Sequence, residues 1–256
     1  MRFLVCLLLL VALCAPCVAQ APEVPPALKG VHRIVCLGDS ITEQGEMPGG
    51  YVWLLRHYLA VIYPQRPIEV INAGISGHRS NDMLARFQRD VLDKKPDLVT
   101  ISVGVNDVWH GFFDNHPLGD GPRGIPLDAY RSNVEAMVTQ AEKAGARVVL
   151  LSTTVIHEDL HNRENAKLVG YNAALQEIAR SHNALFVDYQ RPFRALITVY
   201  RNRTGGRDNL LTYDGVHMNV AGNRVMANTL LSGLGVSSEA RAAVQAKIEA
   251  DLRAHQ

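Results

Sequence analysis

Short apolar runs alternate with longer amphipathic stretches along most of this chain. The runs at 31–37 (VHRIVCL), 68–72 (IEVIN), 97–103 (DLVTISV), 146–152 (ARVVLLS) and 184–188 (ALFVD) are rich in β-branched residues and nearly continuous in apolar character, the pattern of strands buried on both faces. Between and after them, apolar positions recur at helical spacing over 50–62, 80–94, 127–144, 164–182, 219–232 and 238–253. In the third of these, Leu127, Tyr130, Val134, Met137, Val138 and Ala141 share one stripe, and Gly145 stands where a C-terminal cap belongs. The alternation predicts an α/β fold in three layers, a five-stranded parallel sheet between two layers of helices, as a single domain over 31–256. The stretch 238–253 reads as a last helix packed on the outside.

Sheets of this kind bind ligands at the carboxyl ends of their strands, so the residues there come first. They are Gly38-Asp39-Ser40 after the first run, Asn72-Ala73-Gly74-Ile75-Ser76-Gly77 after the second, and Gly104-Val105-Asn106-Asp107 after the third, with Tyr213-Asp214-Gly215-Val216-His217 in a later turn. Singly, each has a structural explanation. Ser40 suits a helix N-cap, Asp214 and His217 a local hydrogen bond, Gly77 a turn with positive φ, and Asn106 a turn hydrogen bond. Together they supply the parts of acyl transfer: a hydroxyl nucleophile in Ser40, an imidazole base in His217, and a carboxylate in Asp214 to set the imidazole tautomer. The Gly77 amide and the Asn106 side chain can serve as oxyanion donors. Asp39 reads as a brace for the turn, with no chemical role.

The blocks "GDSIT", "NAGISG", "GVND" and "DGVH", in this order, resemble the four motif blocks of the SGNH or GDSL hydrolase superfamily, over roughly Val31 to Leu231. The resemblance implies a flavodoxin-like sheet and esterase chemistry without metal or cofactor. It implies a triad of Ser40, His217 and Asp214, and an oxyanion hole formed by the Ser40 and Gly77 amides with the Asn106 side chain. The G-x-S-x-G elbow of the α/β-hydrolases is absent around Ser40.

A rival motif is "HEDLH", His157 to His161, which fits the H-E-x-x-H pattern of zinc hydrolases. It follows the strand-like VVLLSTTV directly and precedes Asn162, a suitable cap for the next helix, so it reads as a solvated loop rather than the helix a zinc site needs. His157 or Glu158 could still touch substrate from there. Substrate choice is expected from the loops at 108–125 and 189–212. Trp109 and Phe112, with Phe113, could form an acyl pocket or a sugar platform, or simply complete the core. His110, His116 and Arg123 are candidates for its entrance. Asn202 in "NRT" matches a glycosylation acceptor.

The N-terminus changes the picture of where this chemistry acts. MRFLVCLLLLVALCAPCVAQ has one basic residue, a short apolar run and then small residues, which is how a secretory leader over 1–19 reads, with Ala19 or Ala21 as cleavage points. An uncleaved anchor or lipid attachment at Cys17 is the alternative, although Pro16 fits the latter poorly. Residues 20–30 are Pro-rich and read as an extended tether. Of the 26 basic residues Arg2 falls in the leader, leaving 25 against 25 acidic ones, a balance that argues against nucleic acid as a partner. Of the four cysteines only Cys36 lies beyond the leader, so the exported chain has no intrachain disulfide and rests on its core. The expectation is a secreted or periplasmic carboxylic esterase acting on a small-molecule or carbohydrate ester. Analogy with exported family members favours O-acetyl or other short-acyl groups. Lysophospholipid or thioester hydrolysis is the alternative within the family, and a non-catalytic carbohydrate-binding protein is the alternative outside it.

Overall fold

The computed structural model describes residues 22–255; the expected leader lies outside them. Five strands, β1 (Arg33–Gly38), β2 (Glu69–Gly74), β3 (Leu98–Ser102), β4 (Arg147–Leu151) and β5 (Leu185–Val187), form one parallel sheet in the order β2-β1-β3-β4-β5. This is a flavodoxin-like order, with its reversal point beside β1. β3 is buried along its whole length and β1 at every residue but Arg33, which explains their unbroken apolar character. Ile34, for example, lies between Val70 of β2 and Leu98 of β3.

The helices are α1 (Ser40–Gln44), α2 (Tyr51–Ile62), α3 (Ser80–Ala85), α4 (Phe87–Asp90), α5 (Val105–Trp109), α6 (Leu127–Lys143), α7 (Arg163–Ser181), α8 (Gln190–Thr204), α9 (Val220–Gly233) and α10 (Ser238–Arg253). α2 and α9 pack together on one side of the sheet and α6 and α7 on the other. On α6 the buried residues are Tyr130, Val134, Met137, Val138 and Ala141, the stripe expected from the spacing, although Leu127 is only partly buried. α10 lies outside α2 and buries Ile248 and Leu252, with an Arg224–Glu249 ion pair at 2.8 Å tying it to α9. Among the described residues no helix is long and apolar enough to cross a membrane.

Three expectations change. The helix expected over 80–94 is two short helices and a 3₁₀ turn at Leu92–Lys94, because the backbone leaves helical geometry at Arg86 (φ −106°, ψ 3°) and Val91 (φ −120°, ψ −64°). The break turns Arg86 inward, where its Nη2 donates to the Gly38 carbonyl (2.9 Å). The segment 189–212, expected as a substrate loop, is largely α8. Pro192 sits in its first turn, where no intrahelical partner is lost, and Phe193 and Ile197 are its buried residues. Residues 22–30 are docked rather than a free tether: Pro26–Leu28 form a 3₁₀ turn, Leu28 is fully buried, and Arg147 donates to the carbonyls of Pro26 and Lys29.

Candidate active site

The chain leaves β1 through a turn that is closed by packing. A Cβ on Gly38 would stand 1.9 Å from Thr42 Oγ1 and 2.6 Å from Thr42 Cβ, so only glycine lets α1 fold back over the strand end. Asp39 is the N-cap of α1, its Oδ1 accepting from the Ile41 amide at 2.9 Å. The cap of α1 is therefore Asp39 and not Ser40. Ser40 occupies the first helical position, where its own N–H has no intrahelical acceptor and its hydroxyl is not used for the cap.

That hydroxyl meets His217 Nε2 at 2.8 Å, and His217 Nδ1 meets Asp214 Oδ2 at 2.6 Å. A carboxylate only accepts, so Nδ1 carries the proton and Nε2 accepts from Ser40. The other carboxylate oxygen of Asp214 accepts from the Val216 amide (2.9 Å) and the His217 amide (2.7 Å). Burial works to raise the Asp214 carboxyl, but the hydrogen bonds from the His217 ring and these two amides outweigh it and hold the group below its ordinary value. The segment doubles back on itself, with Thr212 bridged to Met218 and the Tyr213 amide donating to the His217 carbonyl (3.0 Å).

The ends of β2 and β3 flank the end of β1. Gly77 adopts φ 77° in the turn after β2, and Asn106, 3% exposed, lies in the first turn of α5 after β3. One Asn106 amide hydrogen goes to the His78 carbonyl at 3.1 Å, which leaves the second for a ligand. Arg86, which the sequence did not single out, ties these loops together: besides Gly38 it reaches His78 Nδ1 (3.0 Å) and Asp90 (3.1 Å). Its only signal was a basic residue inside an otherwise amphipathic stretch. Asp107 accepts from the Ser80 amide at 3.0 and 3.2 Å. Burial pushes the carboxyls of Asp39 and Asp107 each up to about 6, with their mutual repulsion adding to the rise at Asp39.

The model of the GDSL-like lipase/acylhydrolase family matches residues 36–225, which takes in all four motif blocks. The chain belongs to this family. An acetylxylan esterase of Geobacillus stearothermophilus is 29% identical over 220 residues, covering 80% of this chain and 94% of that protein. A crystal structure of an acetylxylan esterase from the same organism superposes with a TM-score of 0.69 at 28% identity, over 80% of this chain and 95% of that one. Another acetyl xylan esterase structure, AlAXEase, gives a TM-score of 0.70 at 31% identity, over 78% and 98%. This member of the family is accordingly a carboxylic ester hydrolase.

In this GDSL-like hydrolase aromatic side chains lie beside His217 and beside the loop that packs on its turn. Tyr213 stacks nearly parallel to the His217 imidazole (centroids 5.7 Å, 16°), is 60% exposed, and donates its hydroxyl to Gln44 Oε1 at 2.9 Å. It was legible only as the residue preceding the DGVH block. Trp109 stands edge-on to both His157 (6.0 Å) and Phe113 (5.3 Å), and the His157 ring lies against Gly215, within 2.8 Å of where a Cβ there would be. His157 therefore borders the turn that carries Asp214 and His217, and Trp109 stands behind it. Phe112, expected beside them, packs against Gly119 and under Lys167, and Phe113 continues the Trp109 surface in its place. Arg123 lies over the Phe113 ring at 4.8 Å, and half-buried His110 is held below its ordinary pKa by burial and by Arg79 and Arg123.

The HEDLH run lies in the β4–α7 connection, as expected, so its histidines are not one helical turn apart. The expectation of a solvated loop is corrected at Glu158, which is 2% exposed with both oxygens hydrogen-bonded to the protein. Glu158 is thus engaged by the chain rather than presented to solvent.

Proposed function

We propose that the protein is an exported serine esterase that removes O-acetyl or other short acyl groups from carbohydrates, through Ser40, His217 and Asp214. The observation that carries this reading is the unbroken series of contacts from the Asp214 carboxylate through the imidazole to the Ser40 hydroxyl. In the first step Ser40 Oγ attacks the ester carbonyl while its proton passes to His217 Nε2, and the imidazolium is stabilised by Asp214. The carbonyl oxygen, now negative, is held by the Ser40 and Gly77 amides and the Asn106 side chain. The C–O bond to the sugar then breaks, with His217 returning the proton to the leaving alcohol. Water repeats the sequence on the acyl-Ser40 ester, releasing acetate and restoring the hydroxyl.

The carbohydrate preference draws on the names of the acetylxylan esterases reported above, which match nearly the full length of their own chains. Tyr213 supports it, because an exposed ring beside the base is suited to a sugar leaving group. A fluorophosphonate probe should label the wild type and fail on Ser40→Ala and His217→Ala; an unreactive wild type would leave a binding protein as the better reading. Turnover of p-nitrophenyl esters of rising chain length, measured beside acetylated xylo-oligosaccharides, tests the substrate. A maximum at long acyl chains would replace the acetylesterase reading with a lysophospholipase or thioesterase one. Loss of turnover on chelation, with recovery on adding zinc, would overturn the serine mechanism itself.

A further inference from the structure

The HEDLH glutamate takes no part in the chemistry above, yet it sits where that chemistry is held in place. We infer that Glu158 is a positioning residue that fixes the segment carrying Asp214 and His217, an inference that rests on the triad reading. Glu158 Oε2 accepts from the Leu210 amide (2.7 Å), and Oε1 accepts from the amides of Leu211 (2.7 Å) and Thr212 (2.8 Å) and from Thr212 Oγ1 (2.8 Å). Three consecutive backbone N–H groups thus converge on one carboxylate, the geometry of a backbone anion nest whose anion is supplied from within the chain. Among the described residues no Lys, Arg or His forms an ion pair with it. A carboxylate buried without a cation is costly unless it is fully hydrogen-bonded, and here that cost is met at a single place, the entrance to the base-bearing turn.

The constraint passes on into the turn. Thr212 gives its hydroxyl hydrogen to Glu158 and accepts from the Gly215 amide at 3.2 Å, between Asp214 and His217 in sequence. Thr212 is also the residue bridged to Met218. On the opposite side Asn219 holds the carbonyls, its Nδ2 donating to Leu210 and Thr212 (3.0 and 3.3 Å) and its backbone amide to Leu211 (3.0 Å). No named strand or helix contains Asp214 or His217, so these anchors set where the imidazole stands relative to Ser40. Glu158 is itself aimed by a rigid loop. Asn165, 1% exposed, accepts from the Ile156 amide and donates to the carbonyls of Ile156, His157 and Asp159, while His157 adopts φ 46°.

The test is turnover of p-nitrophenyl acetate by Glu158→Ala and Glu158→Gln, normalised to folded, active-site-titrated protein, with the rate of fluorophosphonate labelling measured in parallel. A displacement of the base by about 1 Å should lower kcat about 10²-fold in Glu158→Ala, with labelling slowed alike and KM within about threefold of wild type. Glu158→Gln keeps an oxygen for Leu211 and Thr212 but sets an amide hydrogen against the Leu210 N–H, and should lose about tenfold in kcat. A role in stability alone would lower the unfolding midpoint and leave kcat per folded molecule unchanged. Should Glu158→Ala not fold, Glu158→Gln decides. Wild-type kcat in Glu158→Gln, or in folded Glu158→Ala, overturns the inference. His217→Ala separates the two readings: full turnover there means the triad reading has failed, whereas an inert His217→Ala beside a fully active Glu158→Ala removes only the role given to Glu158.

Discussion

On the proposed mechanism, replacing Asp214 by asparagine should inactivate the enzyme by imposing the wrong imidazole tautomer, and the hydrogen bonds of Asp214 set which way the new amide points. One carboxylate oxygen holds the Val216 and His217 backbone amides, while the other faces His217 Nδ1. In Asp214→Asn the single side-chain oxygen would stay with the two backbone donors, placing the NH₂ group against Nδ1. That nitrogen must then accept, so the ring proton moves to Nε2 and points at Ser40, where a base is needed. Turning the amide over to restore the tautomer would break two backbone hydrogen bonds worth about 1 kcal/mol each. The imidazolium of the transition state would in addition lose a charge-assisted hydrogen bond worth about 2 kcal/mol. The total of about 4 kcal/mol is a loss of about 10³-fold in kcat/KM. Because the Asp214 side chain is 40% exposed, water takes over part of the lost charge stabilisation, which keeps the expected loss below the ~10⁴-fold of triads with a buried aspartate. The assay is steady-state hydrolysis of p-nitrophenyl acetate by Asp214→Asn, with ¹⁵N NMR of the imidazole reporting the tautomer and thermal unfolding confirming the fold. A folded variant with kcat/KM within about tenfold of wild type, or with its ring proton still on Nδ1, would refute the argument.

On the proposed mechanism Asn106→Ala removes an oxyanion donor and should lower kcat about 10²–10³-fold with little change in KM, measured on the same ester. Gly38→Ala would force a methyl group onto Thr42 and should destabilise by about 1–3 kcal/mol in urea unfolding; an unchanged midpoint would remove the close-packing account of that glycine. Asp39 has a folded-state pKa of about 6 against an ordinary 3.8, so the folded state holds the proton more tightly, and stability from this group is present at low pH and lost as pH rises through about 6. Asp39→Asn removes that dependence: relative to wild type it should gain up to about 3 kcal/mol in stability between pH ~4 and pH ~7, read from urea unfolding at each, and an equal difference at both would contradict it.

Much of this protein follows from local order in its sequence. Strands buried on both faces must be nearly continuous in apolar residues, so β1 and β3 are visible as runs, and the 3.6-residue period of α6 lays its stripe on one side. The pairing of Asp214 with His217 is legible because three residues of a tight turn are enough to join them. What joins residues far apart in the chain leaves no such trace. Arg86 breaks a helix to reach a carbonyl 48 positions away, and α8 hides its short buried stripe of Phe193 and Ile197 among exposed Leu196 and Val199. Glu158 looks like a loop residue until its four donors, more than fifty positions downstream, are brought to it. Periodicity and turn chemistry are properties of neighbours in sequence, whereas hydrogen bonds across the sheet's end exist only after the core has packed, and it is packing that brings His217 to Ser40 and a buried carboxylate to the segment behind it.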